Sequence, residues 1–423
     1  MTPFNSPEDQ WALFAGSGYY LLSAPAGVLR IGGSARLDWL TTLSTQVFSG
    51  IDSGITREGL ILDPQGHIKY PFMLTDDGST AWLVAPDAPG LADFLRSMVF
   101  MYDVTIEELP ETRVAWFLGG GVLEQAAVGD SGLLLLRDPW PNLENGGTCY
   151  FQGEHPAQRL PVIGVVTDTE GLARLKERAA QALPTETVEG YPVSEVREVS
   201  PSAWDALQIQ RLRPGAAELD ERSLPHELDW LRTAVHLNKG CYCGQETVAR
   251  IVNMGAPPRR LVRLDLDGAH FGLPEPGAEV FTAHAGGEST VNAGEMQVAK
   301  PQAVRFDNVL QAPKGKNLFG EASCGAAQPA EPEVVEAETT AEEPIKQQVV
   351  GRVTRSANHY IYGPIAFALL RRSATGPYVV AVENGTVDAV ETEIVPRDGR
   401  SADSPESRPG IRLPRLGAGI RPS

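Results

Sequence analysis

The stretch "NKGCYCGQETVAR", Asn238 to Arg250, sets two of the chain's four cysteines one residue apart, between a lysine and a Gly-Gln-Glu. Three chemistries compete for such a loop. A structural zinc site wants two ligand pairs, usually with two to four residues between members. Cys241 and Cys243 are too close together for that, and Cys149 and Cys324 supply no matching pair. His226-Glu227 does not begin a His-Glu-x-x-His helix, because Asp229 and Trp230 follow, so no metal is expected. A reactive thiol fits better: Lys239, two residues ahead of Cys241, would favour thiolate over thiol. Gly240 and Gly244 would let a partner approach closely. The plain alternative is a tight turn into "QETVARIV", with the cysteines as small buried hydrophobes. On these residues alone, thiol and turn both stand.

From Arg232 to Arg263 the chain holds six basic residues, Arg232, Lys239, Arg250, Arg259, Arg260 and Arg263, against the single acid Glu246. A basic segment inside a protein of net charge -18 suits a small anionic ligand better than a polymer. The overall charge argues against nucleic acid, whose phosphates need clustered Lys and Arg. At 423 residues the chain has room for two or three cores. The N-terminal "MTPFNSPEDQWALF" lacks the basic and apolar regions of a secretory signal, and no run approaches a membrane span, so a cytoplasmic location is expected. Four scattered cysteines do not make a disulfide framework and read as reduced thiols.

Upstream of the motif, "GLILDPQGHIKYPFML" reads as two strands around a Pro-Gln-Gly turn, followed by the strand "STAWLVA". In "PDAPGLADFLRSMVFM", Leu91, Phe94, Leu95, Met98 and Val99 recur at helical spacing, with Pro89 suited to an early helical position. "DVTIEEL" closes a β-β-α-β unit. A second unit follows: the strand "LPVIGVVT", a helix carrying Leu172, Leu175, Ala179 and Leu183 on one face, then the strand "VSEVREV". Strands gathered around single helices predict an α+β fold rather than a doubly wound parallel sheet. No Gly-rich phosphate loop follows a strand, so a nucleotide cofactor is not indicated.

Beyond Pro257-Pro258 the pattern changes to short alternating strands, "RLVRLDLDG", "VVGRVTRSA", "GPIAFALLRR" and "YVVAVENGTVDAVETEIV", which predict a small β-barrel with an Asn384-Gly385 hairpin turn. An insertion over 282–346 separates the first two of these strands. Its Glu-, Pro- and Ala-rich latter half cannot bury enough apolar surface to fold alone. The expected organisation is α+β modules over 8–256, the interrupted barrel over 257–397 and a tail over 398–423.

The motif closely resembles the signature Lys-Gly-Cys-Tyr-x-Gly-Gln-Glu of the YgfZ-type folate-binding proteins, relatives of the glycine-cleavage T-protein, an aminomethyltransferase. Lys239, Gly240, Cys241, Tyr242, Gly244, Gln245 and Glu246 occupy every fixed position, and Cys243 the variable one. "IGGSARLDWLTTLSTQV", "LPHELDWLRTAVHLNKGCY" and "VGRVTRSANHYIYGPIAFALL" are similar to further segments of that family. The resemblance implies a T-protein-like ring of three modules around a central folate site, with a C-terminal β-barrel. It also implies binding of tetrahydrofolate or a related folate, and service to iron–sulfur proteins or their assembly machinery. Cys241 would be the functional thiol, with Lys239 lowering its pKa, and the protein is expected to be monomeric and free of membranes.

Trp204, in "SAWDALQIQ", matches a tryptophan lining the folate site in relatives, while a second such tryptophan falls at Ala26 here. Arg250 is a further candidate for folate, whose glutamate tail needs cations. The segment resembling the T-protein's Gly-x-Ile-x-Asp-Asp stretch reads "GHIKYP", with Tyr70 and Pro71 in place of the carboxylates. Aminomethyl transfer in glycine cleavage is therefore not expected. The alternatives are another tetrahydrofolate-dependent one-carbon transferase or a non-catalytic folate-binding scaffold. "LQIQRLRPGAAELD" also departs from relatives, with Gln210, Arg211 and Leu212 where Glu-Ala-Gly is common.

Overall fold

The computed structural model describes residues 19–23, 27–130, 132–182, 196–268, 272–282, 348–383 and 385–401. The elements run β1 (Tyr19–Leu22), β2 (Val28–Gly32), α1 (Arg36–Leu43), β3 (Thr56–Leu62), β4 (Ile68–Asp76), β5 (Ala81–Val84), α2 (Ala88–Ser97) and β6 (Thr105–Glu108). Then come β7 (Arg113–Leu118), α3 (Val122–Val128), β8 (Leu134–Arg137), β9 (Val162–Thr167), α4 (Thr169–Ala182), β10 (Arg197–Glu198), α5 (Pro201–Gln210) and α6 (Gln245–Met254). The barrel strands are β11 (Arg259–Leu266), β12 (Glu279–Thr282), β13 (Gln348–His359), β14 (Gly363–Arg371), β15 (Tyr378–Val382) and β16 (Gly385–Glu393).

The first module is an antiparallel sheet in the order β3-β4-β5-β2-β6. Helices α1 and α2 cover it: Trp39, Leu40, Leu91 and Leu95 are buried against Leu29, Ile31, Phe72, Leu74 and Leu83. Each fully buried side chain of this size contributes about 1.5–3 kcal/mol. Asp87 caps α2 by accepting the Gly90 amide at 3.0 Å, with Pro89 in the first turn, as the sequence indicates. The second module is the sheet β10-β1-β7-β9-β8, packed on α3 and α4 through Val122, Ala126, Leu175 and Ala179. The expected strand "VSEVREV" is here only Arg197–Glu198, pairing in parallel with Tyr19–Tyr20, and 191–195 lie outside the described residues.

The third module is a closed barrel, β11-β14-β13-β12-β15-β16. In its last hairpin Val382 pairs with Gly385, so Gly385 is already a paired residue, while Asn384 lies outside the described residues. The chain leaves the barrel at Thr282 and returns at Gln348. The acidic insertion, most of the tail, Leu183, Cys324 and Ala26 lie outside the described residues. One apolar core joins the modules: Leu60 and Ile68 of the β3–β4 hairpin, Ile209 of α5, Val248 of α6, and Leu261, Ile365 and Phe367 of the barrel. No helix among the described residues is long and apolar enough to cross a membrane.

Candidate functional site

The cysteine loop is held from both ends. Gly244 adopts φ 81° as the residue before α6, a conformation that disfavours any side chain. A Cβ there would lie 2.6 Å from the Asp63 carbonyl oxygen and 2.9 Å from the Gly66 Cα, so the loop lies directly on the β3–β4 turn. Gly240, in contrast, has no neighbouring atom within 4 Å of its notional Cβ. Lys239 reaches back to α1, where its Nζ donates to the carbonyls of Thr41 and Ser44 and sits 4.9 Å from the Tyr242 ring centroid. Those acceptors are at the helix's carboxyl end, where a cation is favoured. Burial pushes the Lys239 ammonium down to about 8.

Gln245 donates its Nε2 to the Lys239 carbonyl at 3.3 Å, closing the loop on itself. Tyr242 packs against the shared core, and burial holds its hydroxyl above the usual range. Cys241 and Cys243 are exposed and unbridged, so the reading of them as buried hydrophobes fails. Cys243 is pushed up, first by partial burial and then by the nearby Asp63 carboxylate. Glu246 and Arg250 are exposed and pair with each other on α6 at 3.0 Å.

Separate from this loop, the modules enclose a cavity of about 330 Å³. Strands β3 and β4 contribute Glu58, Pro71, Phe72 and Met73; β7 contributes Trp116; α5 contributes Trp204 and Gln208; and the barrel contributes Arg355. Arg213 and Trp230 complete the wall between α5 and α6. Trp204 arrives there because α5 turns its other face, through Ala203 and Leu207, onto β7 and β9 residues. Three indoles and a phenyl ring make the space suited to a flat, largely apolar group.

The charges in the wall are paired. Arg213 donates to Glu58 at 2.6 and 3.3 Å and stacks 4.8 Å from Trp140, while Thr233 donates to Glu58 at 2.5 Å. Asp138 binds Arg211 at 2.6 Å and lies 3.5 Å from Arg213; those two cations hold its carboxyl below the usual range despite its burial. Arg355 donates to Asp205 at 3.1 Å and to Glu218, fastening the barrel to α5 and to the segment after it.

The structure therefore brings Trp204 to the cavity but keeps Cys241, Lys239 and Arg250 out of its lining. Tyr70 packs on Phe94 in the first module's core, and Pro71 faces the cavity. Gln210 is buried against His359 at 3.0 Å, and Arg211 is fully buried. The cations of the expected basic patch are neutralised: Arg232, Arg250 and, on β11, Arg259, Arg260 and Arg263 are each paired with a carboxylate. Among the described residues, no group of three or more His, Cys, Asp and Glu side chains could hold a metal ion. Sequence reasoning missed Glu58, Trp116, Gln208, Arg213, Trp230 and Arg355. No local signal marks them, since Glu58 follows Arg57 and Arg213 follows Gln208, Gln210 and Arg211 in a mixed polar and apolar run.

Comparison with known proteins places the fold. The aminomethyltransferase T of the glycine cleavage system from Bartonella henselae superposes with a TM-score of 0.57 over 93% of this chain and 90% of its own, at 13% identity. A chloroplastic protein of Arabidopsis thaliana, named as a candidate transferase, is 24% identical over 327 residues, 70% of this chain and 67% of its own length. No family model matches the chain. The architecture is thus that of aminomethyltransferase T, including the closed C-terminal barrel.

Proposed function

We propose that the chain binds a reduced folate in the central cavity and acts, through Cys241, as an accessory factor for the assembly or repair of iron–sulfur proteins. The observation that carries the folate reading is the aromatic cavity at the junction of the three modules, in a fold shared with an aminomethyltransferase T. Trp116, Trp204 and Phe72 fit the faces of a pterin, and Trp116 supplies a second indole despite Ala26. The thiol arm is supported by the match of the Lys-Gly-Cys-Tyr loop and by the exposure of Cys241, which opens it to another protein. Lys239 positions that loop through its two bonds to α1.

A folate-dependent transferase is the second reading, and Glu58 is the observation that favours it, as a carboxylate in the cavity wall. General acid–base work needs a group free to exchange a proton with the substrate. Glu58 is clamped by Arg213 and Thr233, and Pro71 offers no acid, so the accessory role stands first.

Anaerobic calorimetric titration with tetrahydrofolate tests the folate arm. Saturable micromolar binding that weakens at least about tenfold in Trp204→Ala is expected, a loss of about 1.4 kcal/mol. No binding by folded wild-type protein would overturn it. For the thiol arm, Cys241→Ala should fail to restore iron–sulfur enzyme activity to cells lacking the protein, whereas Cys243→Ala should restore it.

A further inference from the structure

Within the cavity wall, Gln208 is a polar group whose bonding is half complete. It follows Trp204 by one helical turn on α5, so the two side chains share a face. Its side chain lines the cavity with only 7% of the residue exposed. The amide oxygen Oε1 accepts from Arg211 Nη1 at 3.0 Å. Arg211 is itself fixed, donating to the Leu160 carbonyl at 2.7 Å and to Asp138 at 2.6 Å. A guanidinium only donates, so the oxygen edge of the carboxamide is bound to face Arg211 and its NH2 to face away. Among the described residues no protein acceptor takes the Nε2 hydrogens. The neighbouring polar groups give it none: Glu58 is taken by Arg213 and Thr233, and Arg355 is another donor.

We infer that Gln208 is a specificity-determining donor that reads a carbonyl oxygen on the edge of a flat ring held against Trp204. The inference rests on the folate reading and names the ring edge: the 4-oxo group of a pterin supplies such an acceptor, and an amino group at that place does not. Arg211 is the positioning residue, since its bond to Oε1 decides which edge of the carboxamide meets the ligand. A site built around a buried donor rejects an analogue that offers a second donor in place of the acceptor.

The test titrates two probes, tetrahydrofolate and 4-amino-4-deoxytetrahydrofolate, into wild type and Gln208→Glu. That variant keeps an oxygen for Arg211 and replaces the NH2 by a second acceptor. Wild type should prefer the 4-oxo compound by at least about tenfold, and Gln208→Glu should lose or reverse the preference. Equal wild-type affinities would overturn the inference and leave the folate reading intact, with no variant needed. Failure of wild type to bind either probe would overturn both. An unchanged preference in Gln208→Glu that melts like wild type would assign the discrimination to another group. Should that variant fold poorly, Gln208→Met, which has no donor, should likewise level the two affinities.

Discussion

Gly240 and Gly244 look equivalent in the sequence, flanking the two cysteines, yet alanine should be costly at Gly244 and nearly neutral at Gly240. At Gly244 the backbone is left-handed, which costs an L-residue about 1–2 kcal/mol. The added Cβ would also stand 2.6 Å from the Asp63 oxygen and 2.9 Å from the Gly66 Cα. Both obstacles are backbone, so the β3–β4 turn must move, at about 1–3 kcal/mol for overpacking of this kind. Together Gly244→Ala should destabilise by about 2–5 kcal/mol. At Gly240 no atom lies within 4 Å and the backbone is not left-handed, so alanine there should change stability by less than about 1 kcal/mol in either direction. Urea unfolding followed by tryptophan fluorescence and far-UV circular dichroism together would measure both, two probes being needed because three modules need not unfold in one step. Coincident midpoints for the two variants would refute the docking of the loop on the hairpin turn.

Arg213→Met should cost about 3–5 kcal/mol, since it leaves Glu58 without its cation and Asp138 with one of two; adding Glu58→Gln should restore much of the loss, and no restoration would count against the ion network as the cause. Stability should fall as pH drops from about 6.5 toward 4. Burial holds His226 and His359 down to about 4 in the folded chain, while unfolded histidine takes its proton near 6.5, so the unfolded state binds more protons throughout that window. His155, held by burial down to about 3, acts with these two histidines, while Asp229, pushed by burial up to about 6, opposes them by binding a proton early in the folded state, as do Glu144 and Asp205, which burial also raises. Urea midpoints at pH 7 and pH 4.5 measure the slope, which His226→Gln should flatten; a steeper slope in that variant would contradict the sign. Cys241 should remain open to alkylation by iodoacetamide under saturating tetrahydrofolate, because the thiol is exposed outside the cavity. Protection by the ligand would place the two together.

The parts legible in the sequence are those written in local pattern. The β3–β4 hairpin, the capped helix after Asp87 and the barrel strands follow from alternation, helical spacing and turn residues over a few positions. Trp204 was found through its resemblance to relatives, and the structure puts it in the cavity. Glu58 and Arg213 were not found, because they meet across 155 positions of sequence and nothing in either neighbourhood advertises the other. The charge sum over Arg232–Arg263 misled for the same reason. The partners of Arg259 and Arg260, namely Asp220, Glu227 and Glu391, stand outside the segment and reach it only through the tertiary fold. Lys239 illustrates the point in one residue: adjacency suggested a role beside Cys241, whereas its ammonium bonds α1, almost two hundred positions earlier.

The geometry sets the cavity and the cysteine loop at two places joined by one hairpin. Glu58, Phe72 and Met73 on the bodies of β3 and β4 face the cavity, and the turn of the same strands, through Asp63 and Gly66, supports the cysteine loop at Gly244. Asp63 is itself tied down, accepting the Gln65 and His67 amides at 2.9 Å and facing His67 Nδ1 at 3.0 Å. A thiol outside the lining cannot attack a group bound inside it without a large rearrangement, so under the proposed accessory role a partner of Cys241 has to come from the solvent side. A ligand in the cavity then acts on the thiol only through the backbone of this hairpin and through the core shared by Leu60, Ile68 and Val248. Packed segments of this kind transmit strain rather than absorb it, which makes the β3–β4 turn the place where occupancy of the cavity would be felt at Cys241.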